Sequence, residues 1–486
     1  MAEFKYINME KLIGRESEKS KLNETLISDE AELVAIYGRR RVGKTFLVRS
    51  FYKDRLIFEL SGIHNAKLSD QLESFTLSLQ KTMESQAPLA APDSWIKAFN
   101  MLEQYLSTKL DKKKLVIFFD EFPWLHSQKS GFLPAFEHFW NTWGSKQSNL
   151  VVVICGSAAS WMIENIVRNK GGLHNRITRQ IRLLPFNLGE TEIYLQSRGV
   201  NLDRYQLLQL FMTMGGIPQY LKAVQPGESA AQNIDSLCFV KDGILKEEFK
   251  SLYQSLFDNA VHHEAVVRAL SKKKQGLTRN EIMVACNLSS GGTTTRLLEE
   301  LEESGFITQY IPFQKNVKDS IYKLSDEYSL FYLKFIENSK ATGSGTWLRL
   351  SLGQSYNSWI GFAFEAICQK HVLQIKKALG IEGIHVEPSV WRYVPGKNEQ
   401  GAQIDLLLDR DDRCINVCEM KFSTSEFVIN KSYVSELKSK LEVFEKSTKS
   451  KKTLFLTMIT TYGVKRNEYY LGMVHKEVTM DSLFKD

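Results

Sequence analysis

The stretch Gly38-Arg39-Arg40-Arg41-Val42-Gly43-Lys44-Thr45 constrains this chain more than any other. It fits G-x-x-x-x-G-K-[ST], the spacing of a loop that wraps phosphate. Before it, Glu32-Leu33-Val34-Ala35-Ile36-Tyr37 reads as a buried strand. After it, Phe46-Leu47-Val48-Arg49-Ser50-Phe51 reads as the first turns of a helix. A strand, a glycine turn and a helix start aim backbone N–H groups and the positive end of a helix dipole at an anion. A chance Gly-rich turn would lack those flanks. On this reading the loop from Gly38 to Thr45, with Phe46 behind it, lines a nucleotide. Lys44 reaches the β- and γ-phosphates and Thr45 holds Mg²⁺.

A second run supports the first. Lys114-Leu115-Val116-Ile117-Phe118-Phe119-Asp120-Glu121 is apolar and ends in two carboxylates. Continuous apolar runs mark the buried strands of a parallel sheet. Ligands of such sheets gather at the carboxyl ends of the strands. Asp120 is therefore expected in the Mg²⁺ shell, and Glu121 near the γ-phosphate as base or orienter of water. A strand-end Asp-Glu pair alone would equally be a solvated turn.

The remaining strands of this unit are expected at 56–60 and 150–155, so residues 1–185 read as a parallel α/β sheet. Ser157, after the last of these, is either a sensor of the γ-phosphate or a helix N-cap. Arg176 and Arg179 follow a Gly-rich turn. They supply charge to the phosphate, within the chain or across a homo-oligomer, or they form a solvated basic stretch. Met83 to Ser94 breaks the helical pattern and reads as a loop.

A chain of 486 residues is too long for one core and implies three or four domains. The +7 net charge permits nucleic acid without demanding it. No apolar run reaches the roughly 18 residues of a membrane span. The N-terminus has no signal-peptide pattern. Cys155, Cys238, Cys286 and Cys368 lie in apolar segments as core thiols. Cys414 and Cys418 share a strand face without a second ligand pair for zinc. A reduced, cytoplasmic protein is the simplest reading.

Residues 186–255 read as helical, with the sharp turn Gly215-Gly216-Ile217-Pro218 suited to a lid. Residues 256–338 read as a winged helix-turn-helix. One helix is expected from Ala265 to Ser271, a second opens at the capping-box spacing of Thr278 and Glu281, and a third starts at Ser289 to Thr293 and runs from Thr294 to Leu301. The acidic third helix is a poor groove reader, which favours a protein or interdomain partner over DNA. The stretch Lys340-Ala341-Thr342-Gly343-Ser344-Gly345-Thr346 reads as a linker to a domain at 346–486.

That last domain carries a second constellation. Ile404-Asp405-Leu406-Leu407-Leu408 and Cys414 to Phe422 read as a hairpin. Glu419 and Lys421 share a strand face, and the turn brings Asp405 opposite Glu419. Two carboxylates suit Mg²⁺ or Mn²⁺, and a lysine steadies water or transition-state charge. Glu365, alone among aromatics on Trp359 to Cys368, is expensive to bury unless it joins that metal shell. An edge hairpin with solvated charges is the plain alternative. Lys431, Lys438, Lys440, Lys446, Lys449, Lys451 and Lys452 contact a phosphate backbone or form a solvated face.

At these residues the chain resembles a known family. Ile13-Gly14-Arg15-Glu16, GRRRVGKT, Asp120 to Leu125, Gly156-Ser157 and Gly215 to Pro218 look like the archaeal-type P-loop ATPases, a branch of the AAA+/STAND NTPases. The resemblance implies ATP as the nucleotide, Asp120 on Mg²⁺, Glu121 as base and Ser157 as sensor. It also implies Gly14 and Arg15 near the adenine and a lid around Pro218. The C-terminal part is similar to PD-(D/E)XK restriction-endonuclease-like domains, with Asp405, Glu419 and Lys421 on the D…ExK pattern and Glu365 on the first helix. Ile404 stands where that family has Pro. The expectation is an ATP-hydrolysing switch coupled to a metal-dependent nuclease, with DNA ahead of RNA as substrate. The rival is an ATPase whose C-terminal domain only binds partners or nucleic acid.

Overall fold

A computed structural model describes residues 12–85, 87–110, 113–127, 129–167, 171–257, 260–339, 343, 345–396 and 401–485. Its strands begin with β1 (Glu32–Tyr37), β2 (Leu56–Ser61), β3 (Leu115–Asp120), β4 (Leu150–Gly156) and β5 (Arg179–Arg182). These form one sheet in the order β2-β3-β4-β1-β5 with every pairing parallel. The apolar runs explain it. All seven residues of β4 are buried, as expected for a strand covered on both faces. Because β3, β4 and β1 are neighbours, their carboxyl ends lie side by side. The turns after them converge on one edge of the sheet.

One face of the sheet carries an aromatic core of Phe58, Phe75, Trp95, Phe99, Phe119, Phe122, Phe132, Phe136 and Phe139. Phe99 and Phe139 stack at 5.1 Å and Phe122 meets Phe132 edge-on at 4.9 Å. Such pairs add to plain burial. Between the helices Leu68–Thr82 and Trp95–Ser107 the described residues form neither helix nor strand, as the Ala/Pro-rich composition predicts.

The chain divides into two compact units, Met1–Leu184 and Pro185–Asp486. The second begins with the helices Leu188–Ser197, Arg204–Met214, Pro218–Leu221, Ala230–Cys238 and Glu248–Gln254. Gly215 has φ 65°, and a Cβ on Gly216 would lie 1.9 Å from the Phe186 carbonyl oxygen. The two glycines are therefore a packing requirement of this turn. Pro218 is the first residue of its short helix, where its missing N–H costs nothing.

Helices Ala260–Ser271, Arg279–Cys286 and Gly292–Glu303 follow, with β6 (Leu277–Thr278), β7 (Ile307–Tyr310) and β8 (Ile321–Leu324) in a sheet of order β6-β8-β7. Thr278 and Glu281 form the capping box that their spacing predicts. The first helix starts at Ala260 rather than Ala265. Its buried face includes His263, bonded to Glu300 at 2.7 Å and stacked on Phe257. A polar residue on the buried face hid that first turn.

Of the stretch expected to be a linker, residues 340–342 and 344 lie outside the described residues. Its far end is docked. The carboxylate of Asp235 accepts the N–H of Gly345 at 2.8 Å and of Trp347 at 2.6 Å. Glycine and serine look like a spacer in sequence because composition does not reveal this cap.

The last sheet has the order β13-β12-β11-β10-β9, with β9 (Val386–Tyr393), β10 (Ala402–Arg410), β11 (Cys414–Lys421), β12 (Thr453–Thr460) and β13 (Lys476–Thr479). It is mixed: β9, β10 and β11 pair antiparallel, and β11, β12 and β13 pair parallel. Helix Gln354–Lys370 packs on β11, and helix Lys431–Thr448 buries Phe444 against Trp391 of β9. Among the described residues no helix is long and apolar enough to cross a membrane.

Candidate functional site

The loop after β1 is built from unusual backbone. Gly38, Arg41 and Gly43 have φ of 149°, 71° and 91°. A Cβ on Gly38 would sit 2.3 Å from the Leu183 carbonyl oxygen, so only glycine fits. The helix begins at Lys44, two residues earlier than expected. Lys44 is buried, and its Nζ donates to the carbonyls of Gly38 and Arg39, both at 2.9 Å. The ammonium thus spans the mouth of the loop.

Other residues brace this loop. Arg15, 4 % exposed, donates to the Val42 carbonyl at 3.2 Å. Gly14 and Arg15 both have φ 63°. Arg40 lies over the Trp124 ring, 5.8 Å from its centroid. Val42 is buried, whereas Phe46 is half exposed.

Thr45 and Asp120 meet directly. Thr45 Oγ1 donates to Asp120 Oδ2 at 2.8 Å, and Asp120 Oδ1 accepts the Glu121 N–H at 3.1 Å. Burial raises the Asp120 carboxyl above its ordinary value. The Thr45 hydrogen bond opposes that rise, and the charge of Glu121 adds to it. A hydroxyl and a carboxylate at the end of the phosphate loop are the oxygen donors Mg²⁺ takes, so the residues fit that ion.

Glu121 and Ser157 form the second pair. Ser157 donates its backbone N–H to Glu121 Oε2 at 3.1 Å and its hydroxyl to Oε1. Ser157 is 3 % exposed. Its hydroxyl therefore holds Glu121. Glu121 itself has φ 45°, a left-handed conformation that costs a non-glycine residue energy. Ser157→Ala is expected to lower ATP turnover about tenfold with nucleotide affinity unchanged, since it frees Glu121 without touching the loop. Phosphate-release and nucleotide-titration assays check this; a tenfold loss of affinity instead would contradict it.

Two expected residues are not brought to this edge within the chain. Arg179 pairs with Glu24 at 3.4 Å and Glu32 at 3.9 Å, and lies opposite Val34 in the sheet. Glu32 opens β1, roughly 16 Å along the strand from the loop side. Arg176 precedes Arg179 and is exposed in a turn at the same amino edge. Their Gly-rich approach resembles a phosphate-facing loop, but within the chain the parallel register of β5 sets Arg179 toward the amino end of the sheet. Pro218 belongs to the second compact unit.

Sequence reasoning missed the supports of this edge. Gln71, 1 % exposed, donates to the carbonyls of Ile63 and Trp124 at 2.8 and 2.9 Å. A Cβ on Gly62 would lie 2.6 Å from the Glu121 carbonyl oxygen, and one on Gly156 would lie 2.8 Å from Pro123. A glycine at the end of an apolar strand was the available signal.

The C-terminal hairpin has Leu406 opposite Cys418, which sets Asp405 beside Glu419. Glu419 Oε1 accepts from Tyr433 Oη at 2.8 Å and pairs with Lys421 at 3.1 Å; Oε2 accepts from Lys440 at 2.7 Å. Burial alone would raise the Glu419 carboxyl, but Lys440 and Lys421 hold it below its ordinary value. Asp405 accepts from Gln403 at 2.7 Å and faces Lys323 at 3.5 Å. Lys323 comes from β8, and no motif pointed to it. Burial pushes Glu365 up to about 7, Asp405 adds to the rise, and Lys323 opposes it.

The metal set expected from Glu365, Asp405 and Glu419 is not assembled. Among the described residues no group of three or more His, Cys, Asp or Glu stands close enough to hold an ion. Both oxygens of Glu419 are engaged by lysines and a tyrosine, and Asp405 stands beside it as the second carboxylate. Lysine ammonium supplies the neutralising charge instead. Of the core thiols, Cys155, Cys238 and Cys368 are buried and Cys286 is partly exposed; Cys418 is buried and Cys414 is not.

Glu365 gives a pH prediction. Its folded pKa of about 7 lies above the ordinary 4.5. The folded protein therefore keeps this proton to higher pH than the unfolded chain does. That contribution to stability is full below about pH 4.5 and is lost as pH rises to about 7. Glu365→Gln, fixed in the neutral form, is expected to gain stability over wild type between pH 5 and pH 8. Denaturant midpoints at both values check it, and a difference independent of pH would contradict it.

Residues 12–224 match a family described as an ATPase domain predominantly from Archaea. A curated uncharacterized protein of Methanocaldococcus jannaschii is 24% identical over 414 residues, 84% of this chain and 87% of that one. Among solved structures, a Walker-type ATPase of Pyrococcus abyssi aligns with TM-score 0.48 and 17% identity over 67% of this chain and 96% of its own. The ORC2 protein of Aeropyrum pernix aligns with TM-score 0.39 and 15% identity over 71% and 96%. The segment that matches the ATPase-domain family contains the phosphate loop, the Asp120–Glu121 strand end and Ser157.

Proposed function

We propose that this protein is an ATP-hydrolysing switch whose C-terminal domain engages nucleic acid. The carrying observation is the pair of contacts Thr45–Asp120 and Glu121–Ser157 on adjacent strand ends beside the loop. The loop's N–H groups and Lys44 bind phosphate oxygens, Lys44 exchanging its carbonyl partners for them. Thr45 and Asp120 would hold Mg²⁺, which would supply charge neutralisation for the phosphates. Glu121 accepts the proton of the attacking water, and Ser157 holds its carboxylate in line. The segment 256–338 acts as a winged helix facing a protein partner. Glu299, Glu300, Glu302 and Glu303 on its third helix support that choice.

The C-terminal domain has two readings. The convergence of Asp405, Glu419 and Lys421 supports a metal-dependent phosphodiesterase acting on DNA ahead of RNA. The lysines on Glu419 support the rival, a binding module that does not cleave, and we adopt it. The test incubates full-length protein with plasmid DNA and with RNA, with Mg²⁺ or Mn²⁺, with and without ATP, beside Glu419→Ala and Lys421→Ala. Binding without cleavage is expected. Cleavage lost in both variants would overturn the binding-only reading in favour of the nuclease.

A further inference from the structure

A cleft of about 230 Å³ lies between the β8 hairpin and the edge made by β9 and β10. One side is closed where Phe313 N donates to the Val390 carbonyl at 2.8 Å. Its apolar wall includes Pro312, Ile321 and Trp391, and amides enter from Gln275 and Gln403. Lys315 and Arg392, both exposed, stand at it as cations, and Asp405 forms its end. Lys323 is the unusual member. It is 7 % exposed, and its Nζ contacts are Asp405 Oδ1 at 3.5 Å and the Tyr310 face at 5.5 Å from the ring centroid.

An ammonium group carries three donors and is costly to bury unless they are used. One long bond and a ring face, with the Glu365 carboxyl in electrostatic reach, leave them incompletely used. Tyr310 is fixed from behind, donating to Gln369 at 2.9 Å, and Gln369 donates to the Asp405 carbonyl at 2.6 Å. Lys323 is thus held on a braced floor with donor capacity facing the cleft. Of the two acids that line the cleft, Asp319 caps its own turn by accepting from Asn316 N at 3.2 Å. Three cations against two acids favour an anion. The apolar wall and the amides suit a flat ring with polar edges.

We propose that this cleft seats one nucleotide unit of a bound single strand, with a phosphate oxygen on Lys323 and the base against the apolar wall. The proposal rests on the nucleic-acid reading and names the subsite and substrate form for it. It puts the strand beside Asp405 and makes β8 part of the binding surface.

The test is fluorescence anisotropy with fluorescein-labelled dT12 and full-length protein without ATP, with dTMP and inorganic phosphate as competitors. Lys323→Gln is expected to weaken binding about tenfold, the cost of one charge-assisted contact. The slope of log affinity against log salt should fall by about 0.7. Arg392→Glu, exposed and safe for folding, should weaken binding similarly. Competition by dTMP but not by phosphate at equal concentration would support recognition of the base. If wild type does not bind dT12, the nucleic-acid reading and the subsite fall together. If wild type binds, and both variants melt and bind like it with the same salt slope, the subsite alone falls.

Discussion

Glu121→Gln is expected to cut ATP turnover by about 10²–10⁴-fold while nucleotide affinity stays within about twofold of wild type. Gln keeps the size; its one oxygen still accepts the Ser157 N–H, and its amide N–H can donate to the Ser157 hydroxyl in place of the second bond, so the strand end is little disturbed. It cannot take a proton from water. Glu121 touches neither the loop nor the Thr45–Asp120 pair through its side chain; its carboxylate is engaged by Ser157. Binding and chemistry therefore separate at this residue. Its strained backbone, φ 45°, is held by close packing, with the Gly62 Cα against its carbonyl. Such strain persists where surrounding structure over-determines it. Phosphate release and titration with a fluorescent ATP analogue measure the two quantities. Equal turnover in the variant would remove Glu121 from the chemistry.

Phe119→Ala is expected to destabilise the first unit by about 3–5 kcal/mol. Phe119 is fully buried and lies 5.8–6.3 Å, ring centroid to centroid, from Phe58, Phe99, Phe122 and Phe136. Removing its ring opens a cavity at the centre of that cluster, where neighbouring rings are too stiff to collapse fully. It also precedes Asp120, so the strand end that carries the carboxylates loses its backing. Urea unfolding followed with nucleotide bound should show the drop, with Phe119→Leu losing less. A loss under about 1 kcal/mol would mean the aromatic cluster does not carry the sheet.

The phosphate loop and the β3 strand end were legible because each pairs a fixed spacing with an apolar flank, and both signals are local. The parallel sheet followed from the same runs. Where Arg179 stands within the chain was not legible, because strand register, not composition, decides which edge a residue occupies. Asp235 capping Gly345 and Trp347 was invisible because the partners lie 110 and 112 residues apart. The C-terminal hairpin was legible from its alternation, and Asp405 does stand beside Glu419. Lys421, which helps to neutralise it, was legible on the same strand face; Lys440 was not, since it comes from a helix read as contacting a phosphate backbone or as a solvated face. Lys323 comes from a segment assigned to another domain. Long-range ion pairs leave no spacing rule in a single sequence.

The central claim is that the loop at Lys44 and the acids at Asp120 and Glu121 hydrolyse ATP. The most direct measurement is phosphate release from ATP by full-length protein, with Mg²⁺ and with a chelator, beside Lys44→Ala. The account predicts Mg²⁺-dependent release that disappears with the chelator and in the variant. Release that survives Lys44→Ala, or wild-type protein that neither binds nor hydrolyses ATP, would contradict it.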